Sequence, residues 1–155
     1  MAGLIEAKLA ELGITLPQPM PPIATYVPYV ITGDLVVISG QVPAVDGKVS
    51  VTGKLGDSVS IEDGQRAAQR CFINVLAHLK IAAGGDLDRV SRVVRLGGFI
   101  ASTAAFTDHA RVMNGASDLA VAVFGEAGRH ARSTIGVAAL PLDAAVEVEG
   151  MFELS

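Results

Sequence analysis

A-R-S-T-I-G-V-A-A-L-P-L-D-A-A-V-E-V-E-G-M-F-E-L, residues 131–154, contains two alternating apolar runs around Leu140-Pro141-Leu142-Asp143. That pattern predicts two antiparallel strands joined by a short turn. The first run is almost free of charge, yet Arg132 stands at its entrance. The second places Glu147 and Glu149 on one face and Val146 and Val148 on the other, because strand side chains alternate. A guanidinium beside a buried strand pair is costly unless a carboxylate or a ligand compensates it. Two readings stay open on the residues alone: a structural Arg132–Glu ion pair, or an anion-binding arginine in a cleft. Alternation puts Arg132 on one face with Thr134 and Gly136, whose small size leaves room for a ligand.

Outward from this block, the chain reads as a series of short strands interleaved with helices. Residues 2–12 predict a short amphipathic helix stopped by Gly13, and Pro17, Pro19, Pro21 and Pro22 enforce an extended lead-in. Tyr29–Thr32 and Leu35–Ser39 flank Gly33-Asp34, a two-residue hairpin signal. Residues 44–58 predict turns with a short strand over Val49–Thr52. Ser60-Ile61-Glu62-Asp63 opens a long helix as a capping box, and Ala68, Cys71, Phe72, Val75, Leu76 and Leu79 form its buried stripe. Gly84-Gly85 ends it. Leu87–Ala101 predicts a strand. Thr107–Phe124 predicts a second helix with a stripe of Ala110, Met113, Ser117, Ala120, Val121 and Phe124. The order β-β-(β)-α-β-α-β-β predicts an α+β fold with helices on one sheet face, in one domain over 1–155: a helix and Pro-rich lead-in over 1–20 and a core over 24–155.

Composition narrows the function classes. The chain has 155 residues, half of them hydrophobic, with seventeen Gly and no Trp. Its net charge of −4 argues against general nucleic-acid binding, which draws on a basic surface. A single cysteine excludes an intramolecular disulfide and fits a reducing compartment. Glu6, Lys8 and Glu11 interrupt any signal-peptide-like run, and no stretch has the length of a membrane span, so the expected location is the cytoplasm. Cys71 falls in an apolar helical stripe and reads as an inert core residue. His78, His109 and His130 lack metal-ligand spacing. Arg129 and His130 could widen an anion site but read rather as solvated loop residues. No dinucleotide fingerprint or P-loop is present, so no cofactor is expected.

The motif R-S-T-I-G-V-x-x-L-P-x-x-A-x-V-E-V-E resembles the C-terminal signature of the RidA/YjgF/YER057c/UK114 family, the endoribonuclease L-PSP-like proteins. Upstream, Leu35–Pro43 resembles the family strand ending in S-G-Q-x-P, and Val112-Met113-Asn114 stands where the family carries an asparagine on its second helix. The resemblance runs from about Tyr26 to Glu153. It implies a chorismate-mutase-like mixed sheet with two long helices on one face, and a homotrimer with small carboxylate-bearing metabolites bound in clefts between subunits. It also implies hydrolysis of reactive enamine/imine intermediates to 2-oxo acids and ammonia. Arg132 would then clamp the substrate carboxylate and Glu147 would position water, as the catalytic pair. Tyr26 would supply an aromatic wall, and Ser39, Asn114 and Thr134 would complete the substrate site. Thr134 departs from the family: many members carry cysteine there. The N-terminal helix and the 44–58 segment resemble a longer-chain branch. Two rival readings are a non-catalytic carboxylate-binding module and an endoribonuclease. The acidic balance opposes the latter.

Overall fold

The computed structural model describes residues 3–19, 21–22 and 24–155. The N-terminal helix α1 spans Leu4–Glu11; Ala2, the first residue of the predicted helix, lies outside the described residues. Asp88 caps this helix from afar. Its carboxylate accepts the Leu4 and Ile5 amides at 2.8 Å each, neutralising two of the unpaired N–H groups at the helix start. Leu9 plugs into the core, and Gly13 at φ 73° ends the helix.

Strands β1 (Tyr29–Thr32) and β2 (Leu35–Gln41) form the expected hairpin. Its two-residue turn closes Thr32 against Leu35 with Gly33 at φ 59°. The strand expected over Val49–Thr52 is instead half of a second hairpin. Strands β3 (Ala44–Val45) and β4 (Lys48–Val49) pair with each other. The reason is Asp46-Gly47, whose φ values of 50° and 80° suit the tight two-residue turn.

Helix α2 runs from Ile61 to Ala82, capped by Ser60, whose hydroxyl accepts the Asp63 amide at 3.1 Å. All six residues of its predicted stripe are fully buried. Strand β5 covers Val90–Ala101, preceded by a single tight turn over Leu87–Arg89. Helix α3 is His109–Phe124. Its buried set is Val112, Met113, Ala116, Leu119, Ala120, Val123 and Phe124, rotated from the predicted stripe. Helix α3 packs against both α2 and the sheet, so its buried arc is wide, and Ala110 and Ser117 are left towards the sheet edge.

The last strands are β6 (Ala131–Val137) and β7 (Val146–Leu154). The sheet order is β1-β2-β7-β5-β6, so the two strands of the opening motif are not neighbours. They run in opposite directions, as expected, but β5 lies between them. Strand β6 pairs parallel to β5, the arrangement that a crossover through α3 permits, and β7 pairs antiparallel to β5 and β2. Residues 138–145 are long enough to step across one intervening strand, a distance of roughly 10 Å.

Register sorts the side chains. Val36, Ile38, Val93, Leu96, Ile100, Val146, Val148 and Phe152 face the helices and are buried. Val37, Phe99, Glu147, Glu149 and Met151 lie on the opposite face, and none is fully covered. Ile135, on that face of edge strand β6, is 52% exposed. The architecture is a mixed α+β sheet with both long helices on one side.

Where α3 crosses α2, Gly115 lets the backbones touch: a Cβ there would collide with the Gln65 carbonyl oxygen. Helix propensity alone would favour Gly115→Ala by roughly 1 kcal/mol. The crossing predicts the opposite sign, a loss of about 1–3 kcal/mol from overpacking. The urea midpoint of the variant decides between them.

Candidate functional site

Arg132 enters β6 opposite Leu96 of β5, which turns its side chain to the helix face. There it meets α3. Nη1 donates to Asn114 Oδ1 at 2.9 Å and to Ser117 Oγ at 3.0 Å, and Nη2 donates to the Ala110 carbonyl at 3.2 Å. A guanidinium has five N–H donors. Those left are the Nε–H and one Nη2–H, and the Nε–Nη2 edge of a guanidinium is the one whose geometry matches a carboxylate. Among the described residues no carboxylate lies within ion-pair distance of Arg132. Within one chain, then, the described residues give Arg132 no ion pair with Glu147 or Glu149. Arg132 and Asn114 come together as expected; Ser117, which the sequence placed only in a packing stripe, joins them.

Thr134 shares the helix face with Arg132, two residues on, opposite Gly98. Its hydroxyl is sealed from solvent and has no hydrogen-bond partner among the described residues. His130, expected as a solvated loop residue, is instead bonded on both ring nitrogens, to Ser117 Oγ and the Gly128 carbonyl. Arg129 does reach solvent, beside Glu126.

Glu147 sits elsewhere. It pairs with Phe99 on the face away from the helices, so one chain holds Arg132 and Glu147 on opposite sides of the sheet. Its carboxyl lies over Gly40, where any Cβ would strike Oε1. A glycine inside a strand, here in the middle of S-G-Q, is the sequence signal that could have pointed to such a close approach. Glu147 and Tyr26 both line a cavity of about 410 Å³. Its walls are the lead-in prolines Pro17, Pro19, Pro21 and Pro22, the end of β2, the β3–β4 turn, Asn74 and His78 from α2, and Pro141-Leu142. Ser39 does not line it. Its hydroxyl donates to the Val27 carbonyl at 2.7 Å and its amide to the Pro28 carbonyl at 2.9 Å, tying the lead-in to β2.

Burial first, and the charge of Glu149 second, push the Glu147 carboxyl above its ordinary value. Burial pushes the His78 imidazole down, favouring its neutral form. The Cys71 thiol is pushed well up by burial and then by Glu147, which leaves it unreactive. Among the described residues no three His, Cys, Asp or Glu side chains gather as a metal site, and no helix is long and apolar enough to cross a membrane.

The Glu147 shift has a sign that can be measured. A carboxyl raised in the folded state favours folding while protonated and opposes it once ionised. For the chain outside any assembly, Glu147→Gln is therefore expected to melt above the parent protein near pH 8. The gain should shrink as pH falls through the raised value, and vanish below the ordinary carboxyl range, where both states hold the proton. A variant that melts lower at pH 8 would mean that the ionised carboxylate has a stabilising partner.

Comparison with known proteins places this geometry. The model of a family described as "YjgF/chorismate mutase-like, putative endoribonuclease" matches residues 6–154. Protein TCP17 of Trypanosoma cruzi is 48% identical over 155 residues, covering 99% of this chain and 96% of its own. The crystal structure of Atu1372 from Agrobacterium tumefaciens, a protein of unknown function, superposes with a TM-score of 0.92 at 46% identity, covering 97% of this chain and 92% of that one. That of Escherichia coli TdcF with bound serine superposes with a TM-score of 0.63 at 25% identity, covering 89% and 94%. A match over nearly the whole length, on the fold just described, shows that this chain belongs to the YjgF family.

Proposed function

We propose that the protein hydrolyses reactive enamine/imine intermediates of small carboxylates to 2-oxo acids and ammonia, in clefts between the subunits of a homotrimer. The observation that carries the reading is Arg132: a permanent cation held by three neutral acceptors, with two of its five donors uncommitted and no carboxylate within ion-pair distance among the described residues of its chain. Family membership supports it, as does a relative, TdcF, that holds serine, a small carboxylate-bearing molecule.

The chemistry needs two charged groups at one substrate. Arg132 anchors the carboxylate, which fixes the imine carbon in place. Glu147 accepts a proton from water as its oxygen attacks that carbon. The C=N double bond becomes a single bond, and Glu147 passes the proton it took from water to the nitrogen. Collapse of the carbinolamine then expels ammonia and leaves the 2-oxo acid. An imine is already electrophilic, so no metal or organic cofactor is required. A carboxyl held above its ordinary value is a better proton acceptor near neutral pH. Since one chain keeps Arg132 and Glu147 on opposite sheet faces, the reading needs the arginine of one subunit beside Glu147 of the partner subunit. Such a contact joins unlike surfaces, and a three-fold ring would close it. The partly uncovered sheet face with Val30, Val37 and Ile135 supplies apolar surface for the assembly.

Thr134 supports a second reading, a binding module without turnover. Its buried hydroxyl offers no thiolate nucleophile.

Three measurements test these readings. Light scattering should give about three times the 15.9 kDa chain mass; a monomer would refute the inter-subunit cleft. Arg132→Lys should weaken binding of a small 2-oxo acid by about 1–3 kcal/mol, since it keeps the charge and loses the fork. An imine generated in situ from a small amino acid should disappear faster with the protein present. Glu147→Gln should slow that step about 100-fold or more while sparing carboxylate binding. Carboxylate binding with no acceleration for any of several imines would select the binding module.

A further inference from the structure

Behind the Arg132 guanidinium lies a second row of hydrogen bonds with a single direction. His130 Nδ1 is 2.6 Å from the Gly128 carbonyl oxygen. A carbonyl only accepts, so Nδ1 carries the hydrogen. In the neutral ring Nε2 is then an acceptor. Ser117 Oγ lies 2.9 Å from that Nε2, so the serine hydroxyl donates to the ring. Its oxygen lone pairs are left to accept the Arg132 Nη1–H at 3.0 Å. The row therefore runs from Arg132 through Ser117 and His130 to Gly128. Its end is fixed: Gly128 is buried against the α3 backbone, where a Cβ would strike the Ala120 carbonyl oxygen.

We propose that Ser117 and His130 are positioning residues, which hold the guanidinium plane so that its Nε–Nη2 edge is presented to a substrate carboxylate. Without His130 the Ser117 hydroxyl is free to rotate, and its hydrogen competes for the space that Nη1–H occupies. Without Ser117 the Nη1 group keeps only Asn114. Neither residue touches the substrate in this arrangement. The inference rests on the reading of Arg132 as the carboxylate anchor.

The test uses the full chain with ¹⁵N-labelled arginine and 2-oxobutanoate as the probe. Rotation of the Arg132 Nη groups should be slow in the parent protein and visibly faster in Ser117→Ala and His130→Phe. Each substitution should also weaken 2-oxobutanoate by roughly five- to twenty-fold, and in turnover should raise KM more than it lowers kcat. Ser117→Thr, which keeps the hydroxyl, should stay within about twofold of the parent. Because His130 acts through Ser117, the double variant should bind no worse than the weaker single one. Should His130→Phe fail to fold, His130→Asn keeps a donor for Gly128 and lacks the Nε2 acceptor. Unchanged Nη rotation, or additive losses in the double variant, would overturn the proposal. Equal binding by parent and variants would overturn it too while leaving the anchor reading intact. A parent protein that restrains Arg132 yet binds no 2-oxo acid would refute the anchor reading, and the presenting role with it.

Discussion

Side chains along β7 alternate between a sealed face and an open one, and most of the molecule follows from that alternation. Val146, Val148 and Phe152 are pressed against α2, whose stripe from Ala68 to Leu79 covers them. Glu147, Glu149 and Met151 point the other way. A shift of one residue would bury two carboxylates and expose the core valines, so register here is enforced by desolvation. The same alternation in β6 sends Arg132 towards α3. Because α3 links β5 to β6, it lies over the seam between them, and Ala110, Asn114 and Ser117 reach the guanidinium from above.

Charge is distributed to match. The ion pairs among the described residues are chiefly short-range and partly or largely exposed, such as Arg111–Asp108 and Arg129–Glu126. Exposed pairs of this kind contribute little to stability. Among the described residues Arg132 has only neutral partners, and Glu147 feels the like charge of Glu149 in addition to its burial. Pairing the two within one chain would have been favourable by Coulomb's law. Opposite positions across the sheet prevent it, and each charge is left with unspent capacity.

The segments outside the sheet shape the cavity more than the core. The lead-in prolines form one wall, and Ser39 holds that wall to β2 through Val27 and Pro28. The turn on the far side places Leu142 and Asp143 at φ 59° and 58°, a region that residues with a Cβ seldom occupy. Strain of this kind persists only where the surroundings enforce it. Here the Asp143 carbonyl accepts the Gly53 amide and the ends of the turn are pinned by β6 and β7.

The amino-acid sequence by itself determined most of the elements, the alternation along the strands and the buried stripe of α2. Alternation and helical spacing are local, so the strands, the α2 stripe, the Ser60 cap, the Gly33-Asp34 turn and the burial of Cys71 were legible, as was the family motif around Arg132 and Glu147. Tertiary structure alone decided which strands are neighbours. The motif at 131–154 reads as a hairpin because β5 is remote in sequence, yet the parallel crossover through α3 sets β5 between its two halves. Partners such as Asp88 at the start of α1, or Ser117 and His130 behind Arg132, are likewise brought in by chain reversal, which leaves no periodic trace. Spacing could place Arg132 and Glu147 on strands, but their separation onto opposite faces depends on how three strands pair, and pairing is a long-range property of the folded chain.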